Sequence, residues 1–211
     1  MEKTNSAIAR ISLICLLLIL SVFVSRAQNA DINLLKNINV DRNRALDKSM
    51  ELLTNSVYPI AAVTPVTELF IGYKQHNKKL ITKGWTSVAG LGANFIVTFG
   101  LKYAVDRPRP YITYPIIQNN KYNKDASFPS GHTSFSFNTA TALYLVFPKW
   151  YVAAPAYLWA TGVGYSRMHL GMHYPTDVLA GAIVGAGTAI LAEKGNQWLQ
   201  HHRKKNKSIE H

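Results

Sequence analysis

The sequence predicts an all-α protein. It is a bundle of five to six apolar helices, embedded in a membrane, with the active site formed by loops at one end. Three observations predict it. Five apolar segments follow one another between residues 57 and 192. Basic residues collect on one side of the alternating path these segments would trace through a bilayer. The polar residues able to do chemistry fall in the loops of the other side.

The amino terminus reads as a targeting segment. Lys3 and Arg10 precede an apolar run from Ile11 to Val24, and Ser25-Arg26-Ala27 then offers small residues where a signal peptidase cuts. A run of fourteen residues is short for a span. Residues 1–27 are therefore expected to be a signal peptide cleaved before Gln28, with an uncleaved anchor helix as the alternative. Ile14 precedes Cys15, which argues against a lipoprotein site. Either way the chain is exported.

Residues 28–54 form an exported amphipathic segment, with Leu34, Leu35, Ile38 and Val40 among charged residues. It is expected as helix and turn outside the main core. The core, residues 55–193, holds the segments Val57–Tyr73, Trp85–Val105, Thr133–Phe147, Trp150–Tyr165 and Thr176–Ala192. Their length and all-round apolarity favour helices over strands. The basic tail, 194–211, is expected to fray.

Several segments have only 15 to 17 residues, below the ~20 of a usual span. Thr133–Phe147 carries six Ser, Thr or Asn residues, and Glu68 lies within the first segment. A soluble bundle would look similar. Charge favours the membrane. With the motif loops outside, the inner stretches hold Lys74, Lys78, Lys79, Lys83, Lys149, Lys194 and the tail cations, whereas acids nearly balance the outer basic residues. That is the positive-inside asymmetry.

The formal charge is +12 with 48% hydrophobic residues, and the mean hydropathy is zero. Such a basic excess fits nucleic acid, a membrane surface or an anionic substrate. No nucleic-acid module is present, which leaves the last two. Cys15 is the only cysteine, so no intrachain disulfide and no cysteine metal site can form. No Asp/His/Glu cluster calls for a metal. No metal and no cofactor are expected, and the sequence sets no oligomeric state.

Three motifs carry the chemistry: Lys102 with Arg109-Pro110, Pro129-Ser130-Gly131-His132, and Ser166-Arg167 followed by His173 and Asp177. Three cations, two histidines and a carboxylate suit phosphoryl removal, where charge develops on equatorial oxygens and catalysis is mostly positioning and electrostatics. Backbone N–H groups near Ser130-Gly131 can nest an oxygen. One histidine can attack while the other protonates the leaving group.

K-x6-R-P, P-S-G-H and S-R-x5-H-x3-D, in this order and without a substitution, resemble the type 2 phosphatidic acid phosphatase family, which shares its site with the vanadium haloperoxidases. The resemblance covers roughly Val57 to Ala192. It implies His173 as a nucleophile forming a phosphohistidine and Asp177 as the carboxylate that orients its ring. It implies His132 as the general acid, then the base for water. Lys102, Arg109, Ser130, Gly131 and Arg167 would bind the substrate phosphate. Pro175 can open the last helix and leave Asp177 near its positive end. Arg107 and Asp106 are expected to pair with each other, His169 to be structural, and His201 and His202 to be solvated. The stretch from Tyr111 to Phe128, with Lys121, Lys124 and Tyr122, is expected to border the entrance.

The expected function is removal of a phosphoryl group from a phosphorylated membrane lipid of the phosphatidic acid, phosphatidylglycerol phosphate, undecaprenyl diphosphate or lipid A type. The expected place is a bacterial inner membrane with the site facing the periplasm. The alternatives are a soluble periplasmic acid phosphatase of broad specificity, a haloperoxidase (whose chains are much longer) and a non-catalytic lipid-phosphate binder.

Overall fold

The computed structural model describes residues 29–119 and 121–207, with side chains to residue 202. The signal-peptide expectation and the end of the tail lie outside the described residues. Helix α1 covers 29–39. After a 3-10 turn at Arg44–Leu46 come α2 (Asp47–Asn55), α3 (Val57–Lys74), α4 (Lys78–Val105), the short α5 (Pro110–Thr113), α6 (Gly131–Val146), α7 (Trp150–His169) and α8 (Pro175–Lys207). No strand forms among the described residues.

All five apolar segments are helices, and three run further than apolarity marks them. Helix α4 begins at Lys78 because Asn77 caps it, accepting from Leu80 N at 3.1 Å. Helix α7 runs on through Arg167 to His169, and α8 continues to Lys207. The expected fraying past Lys194 is thus corrected: the polar tail prolongs α8. At about 1.5 Å per residue α4 is about 42 Å long, so its polar first turn extends beyond a hydrocarbon core of about 30 Å.

Helix α6 lies at the centre, touching α3, α4, α7 and α8. Its polar residues face inward. Ser134 Oγ donates to Asn94 Oδ1 at 2.6 Å, and Asn138 Nδ2 donates to Thr188 Oγ1 at 3.0 Å and to Gly185 O at 3.2 Å. These bonds tie α4, α6 and α8 together. Gly181 and Gly185 let α8 lie backbone to backbone on α6, since a Cβ at Gly185 would stand 2.0 Å from Ser134 O. Glu68 also faces the interior, 2% exposed, with Ser87 of α4 as its polar neighbour.

The outside is apolar. Val66, Phe70, Ile96, Leu158, Ile183 and Leu191 are all more than 60% exposed. Polar groups inside and large aliphatic groups outside invert the soluble pattern, and suit hydrocarbon as the surrounding solvent. The stretches Lys78–Thr113 and Pro175–His202 are long and apolar enough to cross a membrane. Exposed Tyr73, Trp85, Trp150, Tyr151 and Trp198 gather toward the end opposite the motif loops, as an interfacial aromatic belt does.

The amphipathic segment is not peripheral. Ile32 and Leu35 of α1 are buried with Ile117 and Tyr174, in a cluster that covers the loop-bearing end. Asn39, fully buried, donates to Gln118 O at 2.9 Å and His169 O at 2.8 Å, and accepts from Gln118 N at 2.8 Å.

Candidate active site

Local sequence places each motif residue at a helix end. Lys102 is in the last turn of α4, which stops where Asp106 takes a left-handed conformation (φ 43°). The chain then turns back, and Arg109 precedes Pro110 at the first position of α5. Ser130 stands at the N-cap of α6, so Gly131 and His132 open its first turn, where backbone N–H groups lack intrahelical partners. Arg167 is in the last turn of α7. Gly171 (φ 68°) reverses the chain in a spot where a Cβ would meet Gln118 O at 2.4 Å, so only glycine fits. The reversal brings His173 back, its N–H donating to Arg167 O at 3.3 Å. Asp177 lies in the first turn of α8 behind Pro175.

The three cations and His173 are gathered at one end and buried. Lys102, Arg109, Arg167 and His173 are 7%, 2%, 5% and 2% exposed. Arg109 Nη1 lies 3.3 Å from His173 Nε2 and donates to Met172 O at 2.9 Å. The opposite ring nitrogen, Nδ1, faces Asp177 Oδ2 at 3.6 Å. Burial pushes the His173 imidazole down to about 3; the Asp177 hydrogen bond opposes this, and Arg109 and Arg167 reinforce it. The ring is thus neutral at ordinary pH. A proton on Nδ1, directed at Asp177, leaves the Nε2 lone pair facing the cations.

His132 is within electrostatic reach of His173, Arg109 and Arg167, and its ring stacks edge-on with Tyr58 at 4.9 Å between centroids. Arg167 Nη1 donates to Thr54 Oγ1 at 3.0 Å, while its Nε has no partner among the described residues. His132 and Arg167 line a cavity of about 180 Å³ with Glu51, Thr54, Asn55, Lys121, Asn123, Leu170 and Met172. Lys121 pairs with Glu51 at 2.5 Å, which places Lys121 at the cavity as the entrance expectation had it.

Ser130 stands at the start of α6 as expected, with its groups already in contact, and one expectation, that for Arg107, needs correction. Ser130 has its hydroxyl engaged with Thr133 Oγ1 at 2.9 Å and its N–H with Asp177 O at 3.0 Å. Its backbone N–H is therefore spent on α8, and the nest is left to the α6 N–H groups that follow. Arg107 does not pair with Asp106: it donates to Asp177 Oδ1 at 2.7 Å and Asp31 Oδ2 at 2.8 Å. His169 Nε2 lies 2.9 Å from Asp47 Oδ1, holding α7 to α2.

Sequence reasoning missed four further residues. Ser127 donates to Asp177 Oδ2 at 2.5 Å and lies 3.4 Å from His173 Nδ1. Asp125 places Oδ1 2.7 Å from Arg109 Nη2 and Oδ2 3.0 Å from Lys102 Nζ. Burial raises the Asp125 carboxyl, but Arg109 and Lys102 outweigh it and hold it down at about 2. Thr54 and Tyr58 come from α2 and α3. None of the four has a motif signal, because each acts through long-range contact.

A sequence profile described as the PAP2 superfamily matches residues 83–200. The chain belongs to the PAP2 superfamily. Undecaprenyl-diphosphatase BcrC of Bacillus subtilis is 30% identical over 142 residues, 67% of this chain and 70% of that one. The undecaprenyl-diphosphatase of Sulfolobus acidocaldarius is 30% identical over 196 residues, 85% of this chain and 87% of that one. The crystal structure of the first transmembrane PAP2 type phosphatidylglycerolphosphate phosphatase from Bacillus subtilis superposes with a TM-score of 0.68 at 25% identity, covering 89% of this chain and 95% of that one. This PAP2 protein is accordingly a phosphatase, a hydrolase of phosphate esters, and a membrane protein with the helical fold of its transmembrane relative.

Proposed function

We propose that the protein removes a phosphoryl group from a lipid phosphate or diphosphate, through a phosphohistidine on His173, at the periplasmic face of the inner membrane. One observation carries the reading. Three cations, each more than nine-tenths buried, meet beside a neutral histidine whose far nitrogen faces a carboxylate. Buried charge of one sign is costly until an anion compensates it, and here only the half-exposed Asp125 carboxylate meets Lys102 and Arg109. The related undecaprenyl-diphosphatases and phosphatidylglycerolphosphate phosphatase supply the substrate class, and the apolar outer surface supplies the lipid surroundings.

The steps follow from the geometry. Lys102, Arg109, Arg167 and the first-turn N–H groups of α6 hold the phosphoryl oxygens. His173 Nε2 forms the N–P bond as the P–O bond to the leaving group breaks. Burial, reinforced by Arg167, holds His132 neutral in the empty site; the substrate anion brings a proton with it onto this ring, and His132 gives that proton to the leaving oxygen. Asp177 stabilises the cationic imidazole by accepting from Nδ1–H. His132, now neutral, takes a proton from water, which attacks phosphorus, breaks the N–P bond and releases inorganic phosphate.

The test is phosphate release by purified protein in detergent from a panel of lipid monophosphates and diphosphates and one soluble ester. The His173→Ala variant is expected to fold and to lose turnover, with Asp177→Asn losing less because only orientation is removed. More than a few per cent of activity in His173→Ala would refute the nucleophile. Equal turnover of the soluble ester would refute the lipid substrate.

A further inference from the structure

We propose that Asp31 and Arg107 are positioning residues for the His173 nucleophile, acting through Asp177, so that helix α1 is part of the catalytic apparatus. The proposal rests on the assignment of His173 and Asp177 above. Neither Asp31 nor Arg107 belongs to the three motifs, and Asp31 precedes the stretch 83–200 matched by the family.

Asp177 Oδ2 is the oxygen that faces the nucleophile. It accepts from Ser127 Oγ at 2.5 Å and from Tyr174 N at 2.9 Å, and stands 3.6 Å from His173 Nδ1. What aims Oδ2 is the hold on the other oxygen. Arg107 Nη1 donates to Asp177 Oδ1 at 2.7 Å and to Thr176 Oγ1 at 2.8 Å. A carboxylate fixed at Oδ1 cannot rotate Oδ2 away from the ring. Arg107 also reaches Oδ2 through its backbone, since its carbonyl accepts Ser127 N at 2.7 Å. One residue therefore sets both sides of the carboxylate.

Arg107 is itself fixed by α1. Its Nη2 donates to Asp31 Oδ2 at 2.8 Å, and its guanidinium lies over the Tyr174 ring, 3.7 Å from the centroid. Asp31 is 5% exposed. It accepts from Thr176 N at 2.9 Å through Oδ1 and from Thr176 Oγ1 at 2.6 Å through Oδ2. That pins the first turn of α8, from which Asp177 projects. A planar fork held between two carboxylates and over a ring cannot be replaced by a lysine without losing one contact. The order of charges, Asp31, Arg107, Asp177, leaves the nucleophile beside a carboxylate whose charge is partly balanced.

The test uses the full chain in detergent. Turnover by Arg107→Ala should fall about 100-fold in kcat, the scale on which misplaced catalytic geometry costs rate. Arg107→Lys and Asp31→Asn should fall about tenfold. KM, and competitive inhibition by inorganic phosphate, should stay within about twofold of the parent, because Lys102, Arg109 and Arg167 are untouched. Added guanidinium ion should restore part of the lost kcat in Arg107→Ala and none in His173→Ala. A purely structural salt bridge would lower the melting midpoint yet leave kcat per folded molecule unchanged; that result overturns the proposal. So does a parallel loss of phosphate inhibition, which would mean that the triad holds the cradle instead. If Arg107→Ala does not fold, Arg107→Lys and Asp31→Asn give the same reading. Residual activity in His173→Ala would strike the nucleophile assignment, and is separately visible.

Discussion

Asp125 bridges Arg109 and Lys102, two of the cations proposed to hold the substrate phosphate, and so competes with phosphate for them. Replacing it with asparagine should therefore tighten anion binding. The size follows from how strongly the cations hold the carboxylate. Its titration is displaced from 3.8 to about 2, and at about 1.36 kcal/mol per tenfold that is about 2.4 kcal/mol. Asp125 is 50% exposed, so water screens the pair, and roughly 1 kcal/mol is the better figure. Asp125→Asn should lower the inhibition constant of inorganic phosphate about fivefold, since about 1.4 kcal/mol corresponds to tenfold. Arg109 keeps its bonds to Asp125 O and Met172 O in the variant, so the cradle itself persists. The sign with pH is fixed. A depressed carboxyl keeps its contact above its ordinary 3.8 and loses it as pH falls through about 2. The fivefold difference should thus be flat from pH 5 to 8. The assay is competitive inhibition of lipid-phosphate turnover by phosphate across that range. An unchanged or weaker inhibition constant in Asp125→Asn would refute the competition.

Phosphate release should survive EDTA and be blocked by vanadate, which resembles the five-coordinate phosphoryl transition state; loss with EDTA and recovery with magnesium or zinc would contradict this. Gly185→Ala should depress the melting midpoint sharply in detergent, because its Cβ would stand 2.0 Å from Ser134 O and overpacking of this kind costs about 1–3 kcal/mol or more. Gly187→Ala, whose Cβ meets nothing within 4 Å, should leave it unchanged. A cysteine at Lys79, in a Cys15→Ser background, should resist an impermeant thiol reagent in intact spheroplasts and react after lysis; labelling before lysis would reverse the proposed orientation.

The helices were legible where burial in lipid requires apolarity, and illegible where it does not. Lys78–Gly84 and the stretch from Glu193 to Lys207 are helical yet polar, so a search for apolar runs stops short of them. The motif residues were legible because each is fixed by a local event: Lys102 by the end of α4, His132 by the start of α6, Arg167 and His173 by the turn at Gly171, Asp177 by Pro175. The residues that hold the motif side chains were not. Asp31 meets Thr176 across 145 positions, and Thr54 meets Arg167 across 113. Spacing within a motif says nothing about such pairs. Ser127 and Asp125, only a few residues before Pro129, escaped for the same reason: their partners are on other elements.

The polar content of Thr133–Phe147 illustrates how one signal can point two ways. Six Ser, Thr and Asn residues in fifteen count against a lipid-facing span, and on that ground alone a soluble bundle competes. Their positions decide the matter. Ser134, Ser136, Asn138, Thr139 and Thr141 are buried in α6 at the centre of the bundle, while the apolar side chains of α3, α4, α7 and α8 face outward. Helices that gain little from apolar contact in hydrocarbon associate through close backbone approach and shared hydrogen bonds. Gly181 and Gly185 supply the first, and Asn94, Ser134, Asn138 and Thr188 the second. The same bonds hold α6 rigid below Gly131 and His132. A residue type that counts against the membrane in the sequence thus fixes the helix whose first turn builds the site.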